Sequence, residues 1–169
     1  EKITTAKSFS PKPGTGTNRA IFKKGYETGV ARINFPNDIS DLVNAATYGG
    51  RSYSGNISVT LSAGTASNND GKAYVLNAGG TLIDSISLSD PGFNGTVLGT
   101  GKVSIRGTLD GKLSIGSLTD IVVTDDILYE QNPLSGTSDD MLGLVAEQNV
   151  IVADNAANNT NVEINASIF

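Results

Sequence analysis

The chain is 169 residues long, carries a formal charge of −5, and contains no cysteine, histidine or tryptophan. That composition removes disulfides, thiolate nucleophiles, Cys or His metal sites, imidazole acid–base chemistry and the indole platform on which sugars often stack. The length suits one domain with a useful core, and the charge is unevenly spread: residues 1–83 hold nine Lys/Arg against five Asp/Glu, residues 84–169 three against twelve. An acidic C-terminal half repels phosphates and the basic residues of the first half are scattered, so no nucleic-acid partner is expected.

Residues 1–30 are polar, with Pro11, Pro13, Gly14 and Gly16, and read as an N-terminal arm or linker. The first residue is Glu1, which leads us to expect a processed or excised segment whose export signal or anchor lay upstream. No apolar run approaches the roughly 20 residues of a membrane span. Ala31 to Pro36 reads as a strand that the proline ends, and Asp38 then caps a short helix over about 38–46 through Leu42, Val43, Ala45 and Ala46. From Asn56 onward the chain is strand and turn: Ile57 to Leu61 alternates, Ser62 to Gly71 is a Ser/Asn/Gly loop, Ala73 to Leu76 resumes, and Thr81 to Leu88 alternates again.

Beyond Asp90-Pro91-Gly92 a fixed spacing emerges. Val103 and Ile105 recur as Ile121 and Val123, Leu109 as Ile127, Leu144 as Val162 and Val150 as Ile168, each 18 positions on. The steps Ile121 to Val150 and Leu113 to Leu142 are 29, and the surplus of 11 falls in a Pro/Gly/Ser/Asp segment that reads as an inserted loop over about 130–141. Repeated short strands of this kind predict an all-β fold over residues 31–169: a single-stranded right-handed parallel β-helix, a solenoid whose open first coil the short helix covers. A two-sheet sandwich is the competing architecture.

Four segments also carry a family resemblance: Val103-Ser-Ile-Arg-Gly-Thr-Leu-Asp-Gly-Lys-Leu-Ser-Ile115, Asp120-Ile-Val-Val-Thr-Asp-Asp-Ile-Leu-Tyr129, Ser138-Asp-Asp-Met-Leu-Gly-Leu-Val-Ala146, and Ile33-Asn-Phe-Pro36 ahead of a helix. The first three, in chain order, with the last lying upstream of them, resemble a family of bacterial cell-envelope β-helix proteins similar to pilus-assembly, minor-pilin-like components. The resemblance covers about residues 31–169. It implies a right-handed β-helix at the cell envelope, periplasmic or extracellular, with no established enzymatic activity.

The candidate chemistry is acidic. Asp125 and Asp126 precede the inserted loop, Asp139 and Asp140 close it, and Glu130 lies between, so these carboxylates are expected to converge on one side of the fold. Three readings apply: turn residues bonding local backbone N–H groups, a Ca²⁺ site of hard oxygen ligands, or a carboxylate pair cleaving a polysaccharide as a hydrolase or lyase. The first is preferred, because the only nearby cations are Lys102, Arg106 and Lys112. Asp110-Gly111 reads as a backbone turn. The C-terminal Val162 to Phe169 keeps its apolar pattern to the end, so its strand edge is expected to be covered, by self-association among other ways. The expected function is a non-enzymatic structural or adhesive module whose partners are other envelope proteins or a surface glycan, with no required cofactor. A carbohydrate-active enzyme and a calcium-stabilised adhesin are the alternatives.

Overall fold

Side chains that alternate between polar and apolar, broken by glycines and Asx residues, produce short strands on which one row of side chains is buried and the other faces out. The computed structural model describes residues 3–5, 26–28, 39–64 and 70–169. The chain divides into two units, Glu1–Asn37 and Asp38–Phe169. In the first, strands β1 (Ile3–Thr5) and β2 (Tyr26–Thr28) pair in parallel, Ile3 opposite Tyr26. The expected strand at 31–36 and the cap at Asp38 lie outside the described residues.

The second unit begins with one helix, α1 (Ser40–Thr47), and continues through β3 (Arg51–Tyr53), β4 (Ile57–Ser62), β5 (Lys72–Asn77), β6 (Leu82–Ser87), β7 (Thr96–Gly99) and β8 (Val103–Leu109). It ends with β9 (Lys112–Ser117), β10 (Ile121–Tyr129), β11 (Met141–Ala146), β12 (Val150–Val152) and β13 (Ser167–Ile168). Two sheets result, a six-stranded one in the order β12-β10-β8-β4-β5-β6 and a five-stranded one in the order β13-β11-β9-β7-β3. Between β10 and β11, the segment expected as an inserted loop holds a single 3₁₀ turn at Pro133–Ser135.

The expected single-stranded β-helix is overturned. The described residues have mixed content, 11% helix and 47% strand, in two sheets, the five-stranded one wholly parallel and the six-stranded one combining parallel and antiparallel pairs. The physical reason lies at Asn77, whose Oδ1 accepts the N–H groups of Gly79 and Thr81 and reverses the chain. β6 consequently runs antiparallel to β5, β5 is itself antiparallel to β4, and a chain coiling in one direction does not contain such a meander.

The expected equivalences fare unevenly, because each was a statement about strand register. Val103 opposes Ile121 and Ile105 opposes Val123, as the 18-residue spacing implies, and the 29-residue steps place Ile121 opposite Val150 and Leu113 opposite Leu142. By contrast Leu109 pairs with Tyr129, Ile127 with Gly107, and Leu144 with Ile168. Ile164 bridges to Ile127 near the C-terminus.

The inner rows of the two sheets meet in one core: Val97, Ile115 and Leu144 from one, and Val59, Ile105 and Val123 from the other, are fully buried. Each such side chain contributes about 1.5–3 kcal/mol by leaving water. The helix does not cover the end of the fold as expected. It lies on the outer face of the five-stranded sheet, where Leu42, Val43 and Ala46 pack on Leu98, Leu118 and Val145. Gly116 makes this approach possible, since a Cβ there would come within 2.2 Å of Leu42 Cδ2. Among the described residues no helix is long and apolar enough to cross a membrane.

Candidate functional site

Among the described residues no α-helix packs on the outer face of the six-stranded sheet in the way α1 packs on its counterpart, and the larger of that sheet's two register shifts lies between β8 and β10. Between the pairs Ile105–Val123 and Gly107–Ile127, β8 has a single residue, Arg106, whereas β10 has three, Thr124, Asp125 and Asp126. This is a β-bulge with two extra residues, and bulges re-aim side chains and increase local twist. Gly107 accommodates the distortion with φ +109°, and a Cβ there would lie 2.2 Å from the Leu61 carbonyl oxygen.

The bulge is held from the C-terminal side. Asn155 Nδ2 donates to the Thr124 carbonyl at 2.9 Å, and Asn158 Nδ2 donates to the carbonyls of Val123 and Ala153 at 3.1 and 2.9 Å. Asp126 Oδ1 accepts the Glu163 N–H at 2.8 Å, and Asp125 Oδ1 accepts the Asp126 N–H at 2.9 Å. One oxygen of each carboxylate is thereby tied to the backbone, which orients the other.

Around these two carboxylates the sheet forms a cleft of about 340 Å³ lined by Thr60, Arg106, Thr108, Asp125, Asp126 and Leu128, with Gly107 at its base. The alternation explains the lining: Val59, Leu61, Ile105, Leu109 and Ile127 are buried, so the even-numbered Thr60, Arg106, Thr108 and Leu128 face outward. Thr60 sits directly across from Arg106, and Thr108 across from Leu128. Among the described residues, no hydrogen bond or ion pair engages the Arg106 guanidinium or the hydroxyls of Thr60 and Thr108.

The other expected carboxylates stand apart from this cleft. Asp140 closes the loop before β11: its Oδ1 accepts the Gly111 N–H at 2.7 Å, and its Oδ2 accepts the Gln131 N–H at 3.4 Å and the Ser138 hydroxyl at 3.2 Å. Asp139 adjoins it in sequence, and neither lines the cleft. Asp125 and Asp126 are therefore brought together with Arg106, while Asp139 and Asp140 belong to the loop. Among the described residues no group of three or more carboxylate, His or Cys side chains is placed to hold a metal ion. Asp110-Gly111 forms a corner between β8 of one sheet and β9 of the other. Its aspartate is buried, with Oδ2 accepting the Gly64 N–H at 3.3 Å.

A second groove, of about 580 Å³, runs over the five-stranded sheet between Phe93, Met141 and Phe169. It is larger but chemically plain, its one charged lining group being Lys112. A third polar cluster ties the two sheets together: Tyr53 donates its hydroxyl to Asp84 Oδ2 at 2.6 Å, and Arg51 Nε lies 3.7 Å from the same oxygen. Burial, and then the bond to the Asp84 carboxylate, push the Tyr53 phenol above its ordinary pKa, and Arg51 offsets this in part.

Sequence reasoning found Asp125 and Asp126 and named Arg106 as a neighbouring cation, but missed Thr60, Thr108 and Leu128. Their signal was available in the strand parity, since all three share the outward row with Arg106. Compared with known proteins, the chain matches no family model, no curated protein and no solved structure.

Proposed function

We propose that this chain is a non-enzymatic structural or adhesive module of a bacterial cell-envelope, pilus-associated protein. The observation that carries the reading is the use made of the acidic side chains. Asp126 and Asp140 each accept backbone N–H groups from segments far away in sequence, Glu163 in one case and Gly111 in the other. Carboxylates committed in this way act as fasteners of irregular backbone. The resemblance of the strand segments to envelope proteins supports the location. The exposed Ile151, Val152, Ile168 and Phe169 on or beside the edge strands β12 and β13 support association with another protein chain, a second copy included.

The reading is tested at Asp140. An amide can accept at only one of its two polar atoms, so Asp140→Asn turns an NH₂ group toward a backbone donor and costs about 1.5 kcal/mol in chemical unfolding. Incubation of the parent chain with polysaccharides should release no new reducing or unsaturated ends. Turnover by the parent, lost in Asp126→Asn while its stability is kept, would overturn the proposal and establish a carbohydrate-active enzyme.

A further inference from the structure

We propose that the bulge cleft on the six-stranded sheet is a binding site for the vicinal hydroxyls of a neutral saccharide. The proposal deepens the adhesive reading above and rests on it.

The argument is one of matched hydrogen-bonding capacity. A sugar hydroxyl is both a donor and an acceptor, so a diol is satisfied where fixed acceptors and fixed donors stand side by side. In the cleft, Asp125 and Asp126 each spend Oδ1 on a backbone N–H, and among the described residues no hydrogen bond engages either Oδ2. Opposite them in the ladder is Arg106, a planar fork of five N–H donors that engages no other group among the described residues. Thr60 and Thr108 flank the arginine with hydroxyls that serve either role, and Leu128 offers an apolar spot for the C–H face of a ring.

Charge narrows the class further. Two carboxylates against one guanidinium leave the lining at −1, and the last 57 residues, 113–169, hold nine Asp/Glu and no Lys or Arg. A phosphate, sulfate or uronate is repelled by that surface, and a cationic ligand must face Arg106. A neutral polyol meets neither penalty. Preorganisation of both carboxylates by the backbone lowers the ordering cost of binding. The bulge thus supplies three residues where an unbroken ladder would supply one.

The experiment is calorimetric titration of the intact chain with maltohexaose, cellohexaose and chitohexaose, with a sulfated heparin hexasaccharide as the charged control, in EDTA and again in excess Ca²⁺. At least one neutral hexasaccharide should bind in EDTA. Asp125→Asn and Arg106→Gln should each weaken it about tenfold, the effect of losing one charge-assisted hydrogen bond. Both variants should unfold at the parent's temperature, which separates lost recognition from lost folding. Failure of all three neutral sugars to bind, tighter binding of the sulfated one, or binding only with Ca²⁺ would each overturn the proposal. The titrated samples also tell the two readings apart. Bound but uncleaved sugar supports both, cleaved sugar defeats the non-enzymatic reading while leaving the site in place, and absence of binding defeats the site alone.

Discussion

The two sheets share a core yet differ in what lies behind them. In the five-stranded sheet the parallel ladders from β7 through β9 to β11 run without a register shift, and α1 covers the outer row at Leu98, Gly116 and Val145. In the six-stranded sheet β8 and β10 slip by two residues, and the slip opens a cleft. A covered face is constrained on both sides and rewards a regular ladder. An uncovered face tolerates irregularity, because displaced side chains meet water and the cost falls only on the backbone.

The same substitution in each sheet breaks the comparison most sharply. Gly107→Ala puts a side chain on a residue with φ +109° and a Cβ 2.2 Å from a backbone oxygen that cannot retreat, so we expect a loss of about 3 kcal/mol in denaturant unfolding. Gly116→Ala also meets an atom at 2.2 Å, but that atom is the far end of the Leu42 side chain. Overpacking of that kind costs about 1.5 kcal/mol and should loosen α1 first, visible as faster amide exchange in Ser40–Thr47. Equal losses at the two glycines would mean that the bulge backbone is no more constrained than the helix-packed face.

Tyr53 sharpens the comparison at the seam where the sheets are tied. Its phenol holds its proton more tightly in the folded state than in the unfolded one, so the folded state binds more protons once pH exceeds the ordinary tyrosine value of about 10. The stabilisation is therefore fully present below pH 10 and is lost as pH rises above it. Tyr53→Phe should cost about 1 kcal/mol at neutral pH, with the gap to the parent closing in urea melts above pH 10. A gap that stays constant across that range would show that burial and the Asp84 bond do not hold the phenol's proton more tightly in the folded state.

The smallest expected effect is Asp125→Asn on stability, within about 0.5 kcal/mol, because the amide oxygen can still accept the Asp126 N–H. Set beside the loss at Asp140, it separates a carboxylate held ready for a ligand from one that fastens a loop. A loss at Asp125 as large as at Asp140 would place both in the same structural role.

Much of the strand pairing was legible in the sequence, and the errors have identifiable causes. Spacings of 18 and 29 place Val103 by Ile121 and Leu113 by Leu142, because parallel neighbours must keep buried residues in line. Those spacings describe registers, however, and a register does not state whether the chain coils onward or folds back. The reversal at Asn77 was written in the Gly79-Gly80 pair between two alternating segments, a hairpin signal. The bulge was invisible for a different reason. An insertion of two residues preserves the alternation of period two, so Ile127 stays on the buried row whether it opposes Leu109 or Gly107. The site that depends on that bulge was hidden with it. Asp125 and Asp126 stood out through their charge alone, and Asp139 and Asp140 stood out equally for a different task.

The central claim is that the bulge, and not the acidic loop or the larger apolar groove, is where this chain meets a ligand. The most direct test is an amide chemical-shift map of the labelled chain titrated with the neutral hexasaccharides. The account predicts perturbations confined to Thr60, Arg106–Thr108 and Asp125–Leu128, together with Glu163 through its bond to Asp126. Perturbations centred on Met141 and Phe169, or on Gln131–Asp140, with the bulge unmoved, would contradict it.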